Sequence, residues 1–163
     1  MGRWVAFDEM VIPSRSSRNA VRIYLKNKPH KYGTKLFAVC CGETNYCVRI
    51  EVYCGSRQDT NVVDTQSGPE AVIRNLKALW PPSRVERSKM RVVVTDREYS
   101  SVTLAVRLAT MGFCSIGTVV TSRLGFPTAL KYPFKKMPKR LAVQQGLTRL
   151  KRSTAFLNLY ACS

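Results

Sequence analysis

Val92-Val93-Val94-Thr95-Asp96 is a run of β-branched residues closed by an acid. Branching at Cβ crowds a helix and suits a pleated strand. From Met90 to Thr95 the run reads as a strand covered on both faces. A second run has the same ending: Arg3-Trp4-Val5-Ala6-Phe7 leads into Asp8. Two carboxylates, each closing a strand, are the hard oxygen donors that one half of a divalent-metal site requires.

The elements between these runs follow from periodicity. Residues 11–32 read as irregular, with Pro13 and a Ser/Arg cluster. Gly33 opens a second strand, Thr34 to Cys41, and Gly42-Glu43-Thr44-Asn45 is turn chemistry. A third strand, Tyr46 to Tyr53, alternates apolar and polar residues, so the pair predicts an antiparallel hairpin. Glu70 to Trp80 predicts a helix, with Val72, Ile73, Leu76 and Leu79 on one side and Pro81-Pro82 as its stop. Ser101 to Met111 predicts a second helix ended by Gly112. Ser115 to Thr121 reads as a fifth strand and Leu141 to Leu150 as a short helix. The order β-β-β-α-β-α-β predicts an α/β fold, a mixed sheet with helices on its faces. A strand reached through a helical crossover can lie parallel to the first, ~4.8 Å away. Asp8 and Asp96 would then project from one sheet edge, where α/β sheets place their ligands.

The chain has 163 residues, 45% of them apolar, enough for one core. Its 27 Lys and Arg against 10 Asp and Glu give a formal charge of +17. No acid follows Glu98, whereas residues 99–163 carry 10 Lys and Arg. A surface this basic attracts polyanions, nucleic acid above all. Arg15, Arg18, Arg22, Lys26, Lys28 and Lys31 form one cluster able to track phosphates without reading sequence. Lys131, Lys135, Lys136, Lys139 and Arg140 form another, with Tyr132 and Phe134 able to stack on bases, or else a solvated basic tail. His30 reads as a turn residue beside Tyr32 rather than an acid–base group, and Glu98 as a surface partner of Arg97 rather than a ligand. The six cysteines form no C-x-x-C pair and His30 is the single histidine, which argues against a zinc site. No signal peptide or membrane-length apolar stretch is present, so the expectation is an intracellular protein with reduced thiols, no membrane and no small-molecule substrate.

More specific residues surround the two acids. Phe7-Asp8-Glu9-Met10-Val11-Ile12-Pro13, Ser16-Ser17, Tyr24-Leu25 and Lys28-Pro29-His30-Lys31-Tyr32-Gly33 stand in order, followed by Lys35-Leu36-Phe37 and Glu51-Val52-Tyr53 with Gly55. Asp96 is followed by Ser100-Ser101, Leu104, Leu108, Gly112 and Ile116-Gly117-Thr118-Val119. Over roughly residues 3–127 this resembles the catalytic domain of piggyBac-type transposases. The resemblance implies an RNase H-like fold, incomplete at its C-terminal end, over residues 1–127, and a weakly structured basic extension over 128–163. It implies catalytic metal ligands for Mg²⁺ or Mn²⁺, with Asp8 in the first acidic position and Asp96 in the second. The third acid of the family comes well beyond the second block, and no acid follows Glu98 here. Arg97 and Glu98 replace the family's Asn and aromatic after the second acid. The expectation is a fragment of a transposase, or a protein derived from one, that binds DNA, is nuclear and is catalytically inactive alone. Its expected partners are DNA and a second copy or a related transposase chain. The alternative is a non-catalytic nucleic-acid-binding or interaction module on the same fold.

Overall fold

The computed structural model describes residues 2–26, 28–54, 68–81 and 90–128, with the backbone of 150–152 and 160–162. In chain order the elements are β1 (Trp4–Pro13), β2 (Ile23–Tyr24), β3 (Tyr32–Cys41), β4 (Cys47–Val52), α1 (Gly68–Leu79), β5 (Arg91–Thr95), α2 (Val102–Thr110), β6 (Phe113–Gly117), β7 (Leu150–Arg152) and β8 (Tyr160–Cys162). The main sheet runs β2-β3-β1-β5-β6, and β4 shares the outer side of β3 with β2. β3 is antiparallel to β1 and to β4, whereas β5 is parallel to β1 and β6 to β5. The expected mixed α/β sheet and its hairpin are therefore present. β7 and β8 form a separate antiparallel pair.

Several boundaries differ from the sequence reading. β1 does not end at Asp8 but continues to Pro13, pairing residue by residue with β3 from Val5↔Cys41 to Pro13↔Gly33. Glu9 explains why a polar pair fails to end the strand. It occupies the inward parity of Val5 and Phe7, and its charge is met by Lys35 of β3 at 2.6 Å. Val11 and Ile12 then continue the β-branched run. The stretch read as irregular also contains β2, which pairs Tyr24 with Tyr32. β6 begins and ends earlier than expected, at Phe113 and Gly117. Residues 141–149 of the expected last helix lie outside the described residues, and Leu150 opens β7.

Residues directly opposite across a sheet share a face. One face carries Val5, Phe7, Phe37, Val39 and Val93, all buried, packed under Val72 and Leu76 of α1 and Leu104 and Leu108 of α2. Phe7 stacks on Phe37 at 5.8 Å and meets the edge of Tyr99 at 5.0 Å. Truncating Phe7 to Ala would cost about 3–5 kcal/mol. The other face carries Ala6, Asp8, Met10 and Ile12 of β1, with Val94 of β5 and Ile116 of β6. Val94 was expected to be covered, yet it is exposed among the described residues, as are Met10, Ile12 and Ile116.

The helices have local causes. Ser101 caps α2, its hydroxyl accepting from the Leu104 amide at 3.0 Å. Gly112 follows with φ +83°, a left-handed position that glycine takes without strain. α1 is fastened to β4 by Asn75, which is fully buried. Its amide donates to Glu51 and to the Ala71 carbonyl, both at 2.9 Å, and its oxygen accepts from Arg49 at 2.8 Å.

Candidate functional site

The parallel pairing of β1 and β5 runs Trp4↔Val92, Val5↔Val93, Ala6↔Val94 and Phe7↔Thr95. Asp8 and Asp96 are the residues that directly follow this last pair, where β5 ends and β1 continues. Neighbouring parallel strands lie ~4.8 Å apart. Asp8 is therefore a mid-strand residue set level with a strand end, and only Asp96 follows a terminus. Both are exposed. The Asp8 Oδ1 accepts from the Glu9 amide at 2.7 Å, and the Asp96 Oδ1 from the Arg97 amide at 2.5 Å. Neither carboxylate enters an ion pair among the described residues.

The loop after β5 is held by buried hydrogen bonds. Ser100 bonds Thr95 Oγ1 at 2.8 Å and donates towards the carbonyls of Thr95 and Asp96. The Tyr99 and Ser100 amides donate to the Asp96 carbonyl at 3.0 and 2.9 Å. Gly117 lies opposite Thr95 in β6, where a Cβ would fall 2.0 Å from Ser100 Oγ and 2.7 Å from the Thr95 carbonyl. The glycine of the Ile116-Gly117-Thr118 stretch is thus required for close approach to the turn carrying Asp96.

Glu9 joins the two halves from beneath. It accepts from Tyr99 at 3.0 Å and pairs with Lys35 at 2.6 Å and Lys28 at 3.4 Å. Partial burial pushes the Glu9 carboxyl up, but Lys35, Tyr99 and Lys28 together hold it below the usual carboxylate range. Burial, and then the charge of Glu9, Asp8 and Asp96, push the Tyr99 hydroxyl well above its ordinary value, so it stays a donor. Tyr99 is not singled out in the sequence, and Glu9 and Ser100 stand there only within the resemblance, with no role assigned. Glu9 had a signal: a carboxylate in the inward register of Val5 and Phe7 must find a partner. Nothing in the sequence indicates that the partner is Tyr99.

The first basic cluster is divided. Arg15, Arg18, Lys26 and Lys31 are exposed, whereas Lys28 is drawn to Glu9 beside Asp8. Arg22 donates to the Arg15 carbonyl at 3.0 Å and lies over the Tyr32 ring at 4.7 Å. Lys135, Lys136, Lys139 and Arg140 of the second cluster, with Tyr132 and Phe134, lie outside the described residues. Arg97 turns from Asp96 to Glu98, Nε to Oε1 3.5 Å, and both side chains are exposed. Glu98 is thus engaged as a surface partner.

Two adjacent, unpaired carboxylates fit the chemistry of Mg²⁺ or Mn²⁺, ions that retain water and accept one or two carboxylates plus substrate phosphate oxygens. Among the described residues no group of three or more His, Cys, Asp or Glu converges. The five cysteines with described side chains are free. Among the described residues no helix is long and apolar enough to cross a membrane.

A family model described as Transposase IS4 matches residues 1–161. Among solved structures, the fold is similar to that of a piggyBac transposase in a synaptic complex with hairpin DNA, determined by cryo-EM. The TM-score is 0.70 at 25% identity, over 93% of this chain. The chain spans 29% of the length of that transposase. A search of curated proteins finds no match.

Proposed function

This chain belongs to the IS4 transposase family and carries a piggyBac-type transposase fold, and on that premise we propose that it is a DNA-acting domain whose Asp8 and Asp96 are two ligands of a divalent-metal site. The observation that carries the reading is the parallel pairing of β1 with β5, whose last paired residues, Phe7 and Thr95, directly precede Asp8 and Asp96. A bound Mg²⁺ or Mn²⁺ would add Lewis-acid charge at a phosphodiester. The protein's own part is positional. Backbone amides orient one oxygen of each carboxylate, and the Ser100 and Glu9–Tyr99 bonds hold the two segments in step. Arg15, Arg18, Lys26 and Lys31 supply exposed positive charge for the DNA backbone.

The isolated chain binds DNA without cutting it. Residues 99–163 contain no acid, so cleavage requires a third carboxylate from outside these 163 residues or from Glu98. Nuclear location accords with a role on DNA. The test is a nicking assay on duplex DNA with Mg²⁺ and Mn²⁺, run beside a DNA-binding titration. Binding that weakens with salt, without nicking, is expected. Metal-dependent nicking that disappears in Asp8→Ala and Asp96→Ala would overturn the inactivity and leave the metal assignment standing.

A second reading, a non-catalytic nucleic-acid-binding module, is favoured by Arg97, a cation directly following Asp96. It requires DNA binding that is indifferent to EDTA and to Asp8→Ala.

A further inference from the structure

Tyr24 and Tyr32 are a cross-strand pair in the β2–β3 ladder, with ring centroids 5.2 Å apart and planes at 59°. Such a pair could serve only to hold a two-residue strand in place. Its surroundings argue for more. Both rings are about half exposed, 56% and 48%. The guanidinium of Arg22 lies over the Tyr32 ring at 4.7 Å, and Tyr24, the more exposed ring, is tilted against Tyr32 in the same cluster. Exposed Arg15, Arg18, Lys26 and Lys31 belong to the same segment.

Register puts the two tyrosines on the aspartate face. β1 and β3 pair without a slip from Val5↔Cys41 to Pro13↔Gly33, and Ala38 is opposite Asp8. Tyr32 is an even step along β3 from Ala38, so it shares that face, and so does Tyr24 opposite it. Ala38 is six positions along β3 from Tyr32, about 20 Å at 3.3–3.4 Å per step. That span is about six base pairs of duplex at 3.4 Å per pair. A DNA strand with a phosphate at Asp8 can therefore reach the tyrosines along one face. Aromatic rings beside positive charge are what unpaired bases require, since every base has a π-face and its phosphates need neutralising.

We propose that Tyr24, supported by Tyr32 and Arg22, is a stacking site for an unpaired DNA base a few nucleotides from the aspartate pair. The proposal rests on the DNA-acting reading and names the form of DNA preferred: duplex with an unpaired end.

The test uses the full chain and two labelled DNAs, a blunt duplex and the same duplex with a single-stranded overhang carrying 2-aminopurine. The wild-type chain binds the overhang DNA about 10-fold more tightly, and 2-aminopurine fluorescence is quenched on binding. Tyr24→Ala removes both the preference and the quenching while leaving blunt-duplex affinity unchanged. Tyr24→Trp retains both, which separates loss of stacking from loss of fold. Equal affinity for the two DNAs, or a preference that survives Tyr24→Ala, would overturn the stacking site alone. Absence of binding to either DNA would overturn it together with the DNA-acting reading.

Discussion

The Tyr99 hydroxyl donates to Glu9 Oε2 at 3.0 Å, so the turn presenting Asp96 is bonded to the strand presenting Asp8. Tyr99 is 3% exposed and also meets the rings of Phe7 and Phe37 edge-on. Its hydroxyl and its ring therefore do separable work. Tyr99→Phe is expected to lower unfolding stability by about 1 kcal/mol, and Tyr99→Ala by about 3–5 kcal/mol. Urea unfolding of the two variants measures the difference, and equal losses would deny the hydroxyl any role.

Asp8 and Asp96 are neighbours of like charge with no cation paired to either among the described residues. Such a pair repels. Asp8→Asn or Asp96→Asn is expected to raise metal-free stability by about 0.5 kcal/mol at low salt. On the proposed metal-site reading, Mn²⁺ is expected to raise the melting temperature of the wild type, and either change should abolish that shift. A thermal titration with and without Mn²⁺ checks both, and a metal shift that persists in the variants would exclude these residues as ligands.

Gly117 has no space for a side chain, since a Cβ would lie 2.0 Å from Ser100 Oγ. Gly117→Ala must displace Ser100 and the turn that positions Asp96. A loss of about 1–3 kcal/mol is expected. Ser100→Ala removes the displaced atom but leaves the Thr95 carbonyl 2.7 Å from the new Cβ. The double variant should therefore regain part of the loss, a coupling that a double-mutant cycle reads directly.

Asn75 uses both ends of its buried amide, towards Arg49, Glu51 and the Ala71 carbonyl. Asn75→Leu is close in volume and leaves those groups without their partner. About 1–3 kcal/mol of destabilisation is expected, measured by urea unfolding. A neutral result would mean that water replaces the amide.

Glu70 in the first turn of α1 pairs with Arg107 near the end of α2. Arg107, more than opposing desolvation, holds the Glu70 carboxyl below its usual 4.5. A carboxylate lowered in the folded state stabilises above its unfolded value and loses that contribution as pH falls through the folded value. Both side chains are a third or more exposed, which limits the pair to under about 1 kcal/mol. Glu70→Gln should thus be slightly less stable than wild type at neutral pH, with the gap closing as pH drops below 4.5. Chemical denaturation at neutral and acid pH measures it.

Much of this architecture is legible in local chemistry. Val92-Val93-Val94-Thr95 is a strand because β-branched residues crowd helices, and α2 begins and ends where Ser101 and Gly112 stand. The two acids are visible as a candidate pair for the same reason: each closes an apolar run. The end of β1 is not legible, because Asp8-Glu9 resembles a turn until Lys35 answers Glu9 from another strand.

By itself, then, the sequence determined most of the main elements, the excess of positive charge and the identity of the two acids. These depend on side-chain shape and charge over a few residues. Only the tertiary structure decided that Asp8 lies within a strand yet level with Asp96, that Glu9 and Tyr99 join their segments, and that the Tyr24–Tyr32 pair shares their face. Those facts depend on register between strands. A shift of one residue would turn each of these side chains to the opposite face, and register is set by contacts between segments far apart in the chain.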